Sequence, residues 1–143
     1  MNPLSIVESW IVKEMLEDEA LAEIVGDKIY YGAPEDEAEE FFVLVTTVDA
    51  RPFYTLGTKR EHAWAWYDIV VWQKGKDTRS MEAAANRIDD MFSVFRNRTF
   101  TQSGEAYYFY SQSTRPISRK DTSTPPFVWR GLGGTYKISA TKQ

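Results

Sequence analysis

The chain has 143 residues, 43% hydrophobic and 27% charged, which fits one folded domain and argues against a disordered or membrane-embedded class. It has no cysteine and a single histidine, His62, so disulfide frameworks, thiolate metal sites, cysteine nucleophiles and histidine metal centres are excluded. The net charge of -4 conceals a division: residues 1–40 carry twelve acids against Lys13 and Lys28, a net of -10, and the remainder carries +6.

The first twenty residues hold acids and no long apolar run, so neither a signal peptide nor a spanning helix is expected, and a cytosolic origin is the default. Leu4, Val7, Ile11 and Met15 recur at helical spacing, with Pro3 at a tolerated first position. A second, short helix starts at Asp18 as cap, runs over Leu21, Ile24 and Val25, and ends at Gly26. Lys28 to Tyr31 is a short extended piece, Gly32-Ala33-Pro34 turns the chain, and Glu35 to Glu40 is too acidic to pack.

Phe41 to Val48 and Ala63 to Trp72 read as strands with two apolar faces. In the second, Trp64, Trp66, Val70 and Trp72 oppose Tyr67, Ile69 and Val71. Such a sheet needs cover on both sides, from helices or from another subunit. Arg51 to His62, between them, is a long loop or the tip of an extended hairpin. The clearest helix follows, capped by Asp77 or Thr78, with Met81, Ala84, Ile88, Met91, Phe92 and Phe95 in one stripe. Glu105 to Ser113 alternates aromatic residues, and Arg119 to Pro126 is a polar loop. Phe127 to Ala140 is a closing strand whose glycines, Gly131, Gly133 and Gly134, suggest a bulge or bend. The element order predicts a single α+β domain over 1–143: a mainly antiparallel sheet, a long N-terminal helix and a second helix packed on the sheet. The loops at 51–62 and 119–126 are expected to be mobile, being rich in Gly, Pro, Ser, Thr and bases.

No catalytic constellation emerges. His62 lies in a Lys-Arg-Glu-His run typical of an exposed loop, and Gly131-Leu132-Gly133-Gly134 precedes a strand where a phosphate cradle would open a helix. The acidic run lacks the ligand pattern that encircles calcium. Tyr108, Tyr110, Arg115, Arg119, Lys120 and Arg130 would suit nucleic acid, but a pI of about 5.1 opposes it.

The segment from Leu16 to Pro34, above all Val25-Gly26-Asp27-Lys28-Ile29-Tyr30 and Pro34, resembles the tail-completion or tail-terminator family of long-tailed bacteriophages. Tyr67-Asp68-Ile69-Val70-Val71-Trp72, the helix after it, Val128-Trp129 and Thr135-Tyr136-Lys137-Ile138 look like the family's remaining blocks in order. Lys28 stands where arginine is commoner, and an acidic insert precedes Phe41. The resemblance implies a non-enzymatic virion structural protein without cofactor. It would form a ring, commonly a hexamer, that caps the tail tube, ends polymerisation and forms part of the head-tail joint. Its partners would be itself, the tail-tube protein and a connector protein, with DNA only as passing cargo and no membrane. A different head-tail connector ring and a nucleic-acid-binding module are the alternatives. Two readings of the acidic segment stay open: a solvated face, or an interface in which Glu35, Asp36 and Glu37 meet Arg51, Lys59, Arg60, Arg115 or Arg119 of another copy.

Overall fold

The computed structural model describes residues 3–32, 40–54, 61–75, 78–93, 98–102, 105–122 and 128–142. Helix α1 (Pro3–Glu17) buries Val7, Trp10, Ile11 and Met15 along one side. Asp18 then ends one helix and starts the next. Its carboxylate accepts the Leu21 N–H at 2.9 Å, capping α2 (Glu19–Val25), which Gly26 terminates at a φ of 65° that other residues rarely adopt. The same carboxylate takes a forked pair from Arg87 on α3 (Arg79–Phe92), with Nε–Oδ2 at 2.9 Å and Nη2–Oδ1 at 2.6 Å. Two helices and the junction between them thus meet on one acid, and that fixes how the helical layer is assembled.

Beneath the helices lies one sheet built from β1 (Ile29–Tyr31), β2 (Phe41–Tyr54), β3 (Glu61–Lys74), β4 (Arg98–Gln102), β5 (Glu105–Asp121) and β6 (Trp129–Lys142). The spatial order is β1-β2-β3-β6-β5-β4. β1 runs parallel to β2, and the other neighbours are antiparallel. The architecture is α+β. The helices cover the face carrying Val43, Val45, Tyr67, Ile69, Val71, Phe109, Tyr136 and Ile138, all buried. Trp10 knits the layers together, stacking on Phe109 with ring centroids 4.5 Å apart and meeting the edge of Phe92 at 5.8 Å. Each such large buried side chain contributes about 1.5–3 kcal/mol. Among the described residues no helix is long and apolar enough to cross a membrane.

The strands outrun the sequence-based limits. β2 continues to Tyr54 and β3 begins at Glu61, still paired, so the segment expected as loop or hairpin tip has its two flanks in an antiparallel hairpin, with residues 55–60 outside the described residues. β5 likewise reaches Asp121, placing Arg119 and Lys120 in a strand; of that expected loop, residues 123–126 lie outside the described residues. Composition leaves the first stretch as loop or hairpin tip and marks the second as loop; each pairs with an antiparallel neighbour that satisfies the backbone groups facing it. The glycines of β6 make no bulge: its register against β3 is unbroken from His62↔Thr141 to Lys74↔Trp129. They serve close approach instead, since a Cβ on Gly133 would lie 2.0 Å from the Ile69 carbonyl oxygen. The register shifts fall elsewhere, leaving Val48 as the extra residue in β2 and Thr114 in β5. β4, for which the sequence carried no clear signal, pairs with β5 from Arg98↔Phe109 to Gln102↔Glu105. α3 ends at Phe92, and Phe95 lies outside the described residues. Thr78 occupies the cap position without a side-chain capping bond.

Candidate functional site

Alternation along the strands sends Phe42, Trp64, Trp66, Asp68, Val70 and Trp72 to the face away from the helices, where among the described residues no second layer lies over them. This face partly shields itself. Gly131 leaves room for the Trp72 ring, since an added Cβ would touch Trp72 at 3.0 Å and Val70 at 2.9 Å. Phe42 meets Trp129 at 5.9 Å and Tyr30 at 6.2 Å. Phe42, Val70 and Ile117 are therefore buried without a helix above them. Toward the other end the Lys137 ammonium sits 4.3 Å from the Trp64 ring centroid and 5.6 Å from that of Trp66. A base seeking to stack on Trp64 would compete with that cation.

Asp68 is buried on the same face and is held from two sides: Thr135 donates its hydroxyl to Oδ1 at 2.6 Å, and Arg119 Nη2 reaches Oδ2 at 3.2 Å. Arg115 donates Nε to the Thr135 hydroxyl oxygen at 3.2 Å, and Thr114 donates to the Thr135 carbonyl at 2.9 Å. A buried carboxylate needs such partners, and Thr135 and Arg119 supply them within the chain, with Arg115 bonded to Thr135 behind them.

A cleft of about 410 Å³ opens at the start of α3, where Thr78, Met81 and Glu82 face Arg119, Lys120 and Arg130. On the opposite side of the sheet order, α1 and the end of β1 form a groove of about 540 Å³ lined by Val12, Leu16 and Tyr31 with Glu8, Lys13 and Glu17 at its rim. Leu16 is 44% and Tyr31 42% exposed, so this groove offers apolar surface to solvent. The Tyr31 hydroxyl donates to Glu8 Oε1 at 2.8 Å and also meets the Thr47 hydroxyl, anchoring α1 to β2. Burial of that hydroxyl end, with Glu8 beside it, pushes its pKa above the ordinary tyrosine value.

Of the residues singled out from sequence, Arg115 and Arg119 stand together on β5, both still exposed and able to make further contacts. Arg51 belongs to the β2 backbone opposite Trp64. Glu35, Asp36, Glu37, Lys59, Arg60 and Pro34 lie outside the described residues. The motif from Val25 to Tyr30 is structural: Val25 and Ile29 are buried, Gly26 ends α2, and the Lys28 carbonyl accepts the Val43 N–H at 2.9 Å, setting β1 beside β2. Asp27 is exposed, its carbonyl accepting the Ile29 N–H at 2.9 Å. Among the described residues no group of His, Asp and Glu is arranged to hold a metal ion. Sequence reading missed the groove, although Val12 and Leu16 form a second apolar ridge one position beyond Ile11 and Met15.

No protein-family profile matches the chain. No curated protein matches it in sequence. Among solved structures, the fold matches a chain from the virion of a native gene transfer agent particle, with a TM-score of 0.57 at 16% identity over 92% of each chain. The chain shares its fold, over almost its whole length, with a component of that virion.

Proposed function

We propose that the protein is a virion structural protein that assembles as a ring, caps a tail tube and forms part of the head-tail joint. The observation that carries this reading is the fold match to a virion component over 92% of the chain, reached independently of the sequence motif from Leu16 to Pro34 that resembles the tail-terminator family. Physical features support an assembly role. Apolar side chains are exposed at Leu16, Tyr31 and Val48, and the acids of the N-terminal segment contrast with bases on β5 and β6. The reading assigns no catalysis and no cofactor. Its partners are other copies of the chain, commonly six in all, the tail-tube protein and a connector protein.

Quantitative mass spectrometry of purified particles tests it. A tail-capping ring is present at a few copies per particle, near one ring's worth. Absence from particles, or a copy number matching a major capsid or tube subunit, would overturn the reading.

A further inference from the structure

We infer that the groove between α1 and β1 receives the β2–β3 hairpin tip of a second copy, so that subunits join head to tail. This rests on the assembly reading above and names the contact. The groove has an apolar floor of Val12, Leu16 and Tyr31 and a rim with Glu8 and Glu17 against Lys13. The hairpin tip has the matching chemistry in its sequence: Phe53, Tyr54 and Leu56 among Arg51, Lys59 and Arg60, with Glu61 as the one acid. Apolar anchors flanked by cations fit an apolar slot flanked by carboxylates.

Geometry excludes the chain's own tip as the occupant. β2 leaves the groove at Thr47, where the Tyr31 hydroxyl meets it, and stays paired with β3 through Tyr54↔Glu61. From Val48 to Tyr54 an extended chain advances roughly 20 Å at about 3.3 Å per residue. The residues joining Tyr54 to Glu61 begin and end at that pair, so their reach is about 10 Å and they cannot return to the groove. A tip entering this groove therefore comes from another molecule. Because groove and tip are different surfaces, the contact is heterologous and repeats around a closed ring.

The two open sheet edges argue against joining copies by simple sheet extension. Among the described strands, β2 beyond Val45 and β5 beyond Phe109 have no outer neighbour. Each carries a bulge, at Val48 and at Thr114, and then a proline, Pro52 and Pro116. Both features obstruct a ladder of backbone hydrogen bonds and leave side-chain docking as the better route.

The absence of cysteine makes a direct test simple. Ser9→Cys places one thiol on the groove wall, and Thr58→Cys places one in the tip. The two single variants are mixed at a concentration where sedimentation shows association, then treated with a short bismaleimide. The expected product is a linked dimer containing one of each chain, while the double variant yields a ladder up to ring size. Absence of the mixed dimer in associated protein overturns the groove contact and leaves the assembly reading standing. Linkage of Ser9→Cys to itself, or closure within one double-variant chain, overturns it equally. If the chain is monomeric in solution, the same linkage is read on purified particles carrying the double variant, where absence of the intermolecular product overturns the contact.

Discussion

Tyr67 and Tyr136 lie directly opposite each other on β3 and β6, both buried beneath the helices, yet their hydroxyls are treated differently. Tyr136 donates to Asp89 Oδ1 on α3 at 2.9 Å, whereas the Tyr67 hydroxyl has no partner among the described residues. The register brings the rings together, and the placement of α3 decides which one is satisfied. Tyr136→Phe should lose about 1 kcal/mol of stability, the net worth of one hydrogen bond. Tyr67→Phe should fall within about 0.5 kcal/mol of the parent, because the loss of a phenolic oxygen there breaks no bond to a described group. Urea unfolding of the two variants checks the contrast. Equal losses would show that the Tyr67 hydroxyl is satisfied too.

Alkaline pH should act through the same pair. Burial first, and for Tyr136 the bond to Asp89 as well, raises both phenol pKa values above the ordinary 10.0. The native state then keeps these protons where the unfolded chain releases them. Stability from this source is fully present below about pH 10 and falls as pH rises beyond it. Followed together by phenolate absorbance and circular dichroism, the last tyrosines should ionise only as the fold is lost. Complete ionisation of all eight tyrosines in a chain with native dichroism would refute the assignment.

Asp18 joins α2 and α3, so Asp18→Ala should cost more than an exposed carboxylate elsewhere on the helices. Loss of the cap accounts for about 1–2 kcal/mol. The half-exposed Arg87 pair adds no more than about 1 kcal/mol. Arg87→Ala should therefore be the milder variant. Thermal melts of both decide it, and the reverse order would mean that the fork from Arg87, and not the cap, carries the junction.

Gly133→Ala should destabilise by about 1–3 kcal/mol or more, because the new methyl meets the Ile69 backbone, which cannot move without disturbing the β3–β6 ladder. Gly131→Ala meets side-chain atoms of Val70 and Trp72, which can shift, and should cost less. Denaturant midpoints give the order directly.

Much of this fold was legible in the residues. Strand alternation alone puts Trp66 and Ile69 on opposite faces, and the residue types at Asp18 and Gly26 mark a helix cap and a helix stop. What was not legible depended on partners distant in sequence. The polar end of β5 looks like loop until the second half of β6 lies beside it, and Arg119 looks like an open surface cation until β3 brings Asp68 to it. The groove escaped because Val12 and Leu16 resemble a widening of the core stripe, and only the position of Tyr31 at the sheet edge leaves them exposed. The face away from the helices is also less bare than alternation implies: Trp72 and Trp129 lie so as to bury Val70 and Phe42.

Electron microscopy of particles made with and without the gene tests the central claim most directly. A protein that ends tail polymerisation and joins tail to head should, when missing, leave filled heads unattached and tails of uncontrolled length, with both defects corrected when the intact chain is supplied. Joined particles with tails of normal length in its absence would contradict the account.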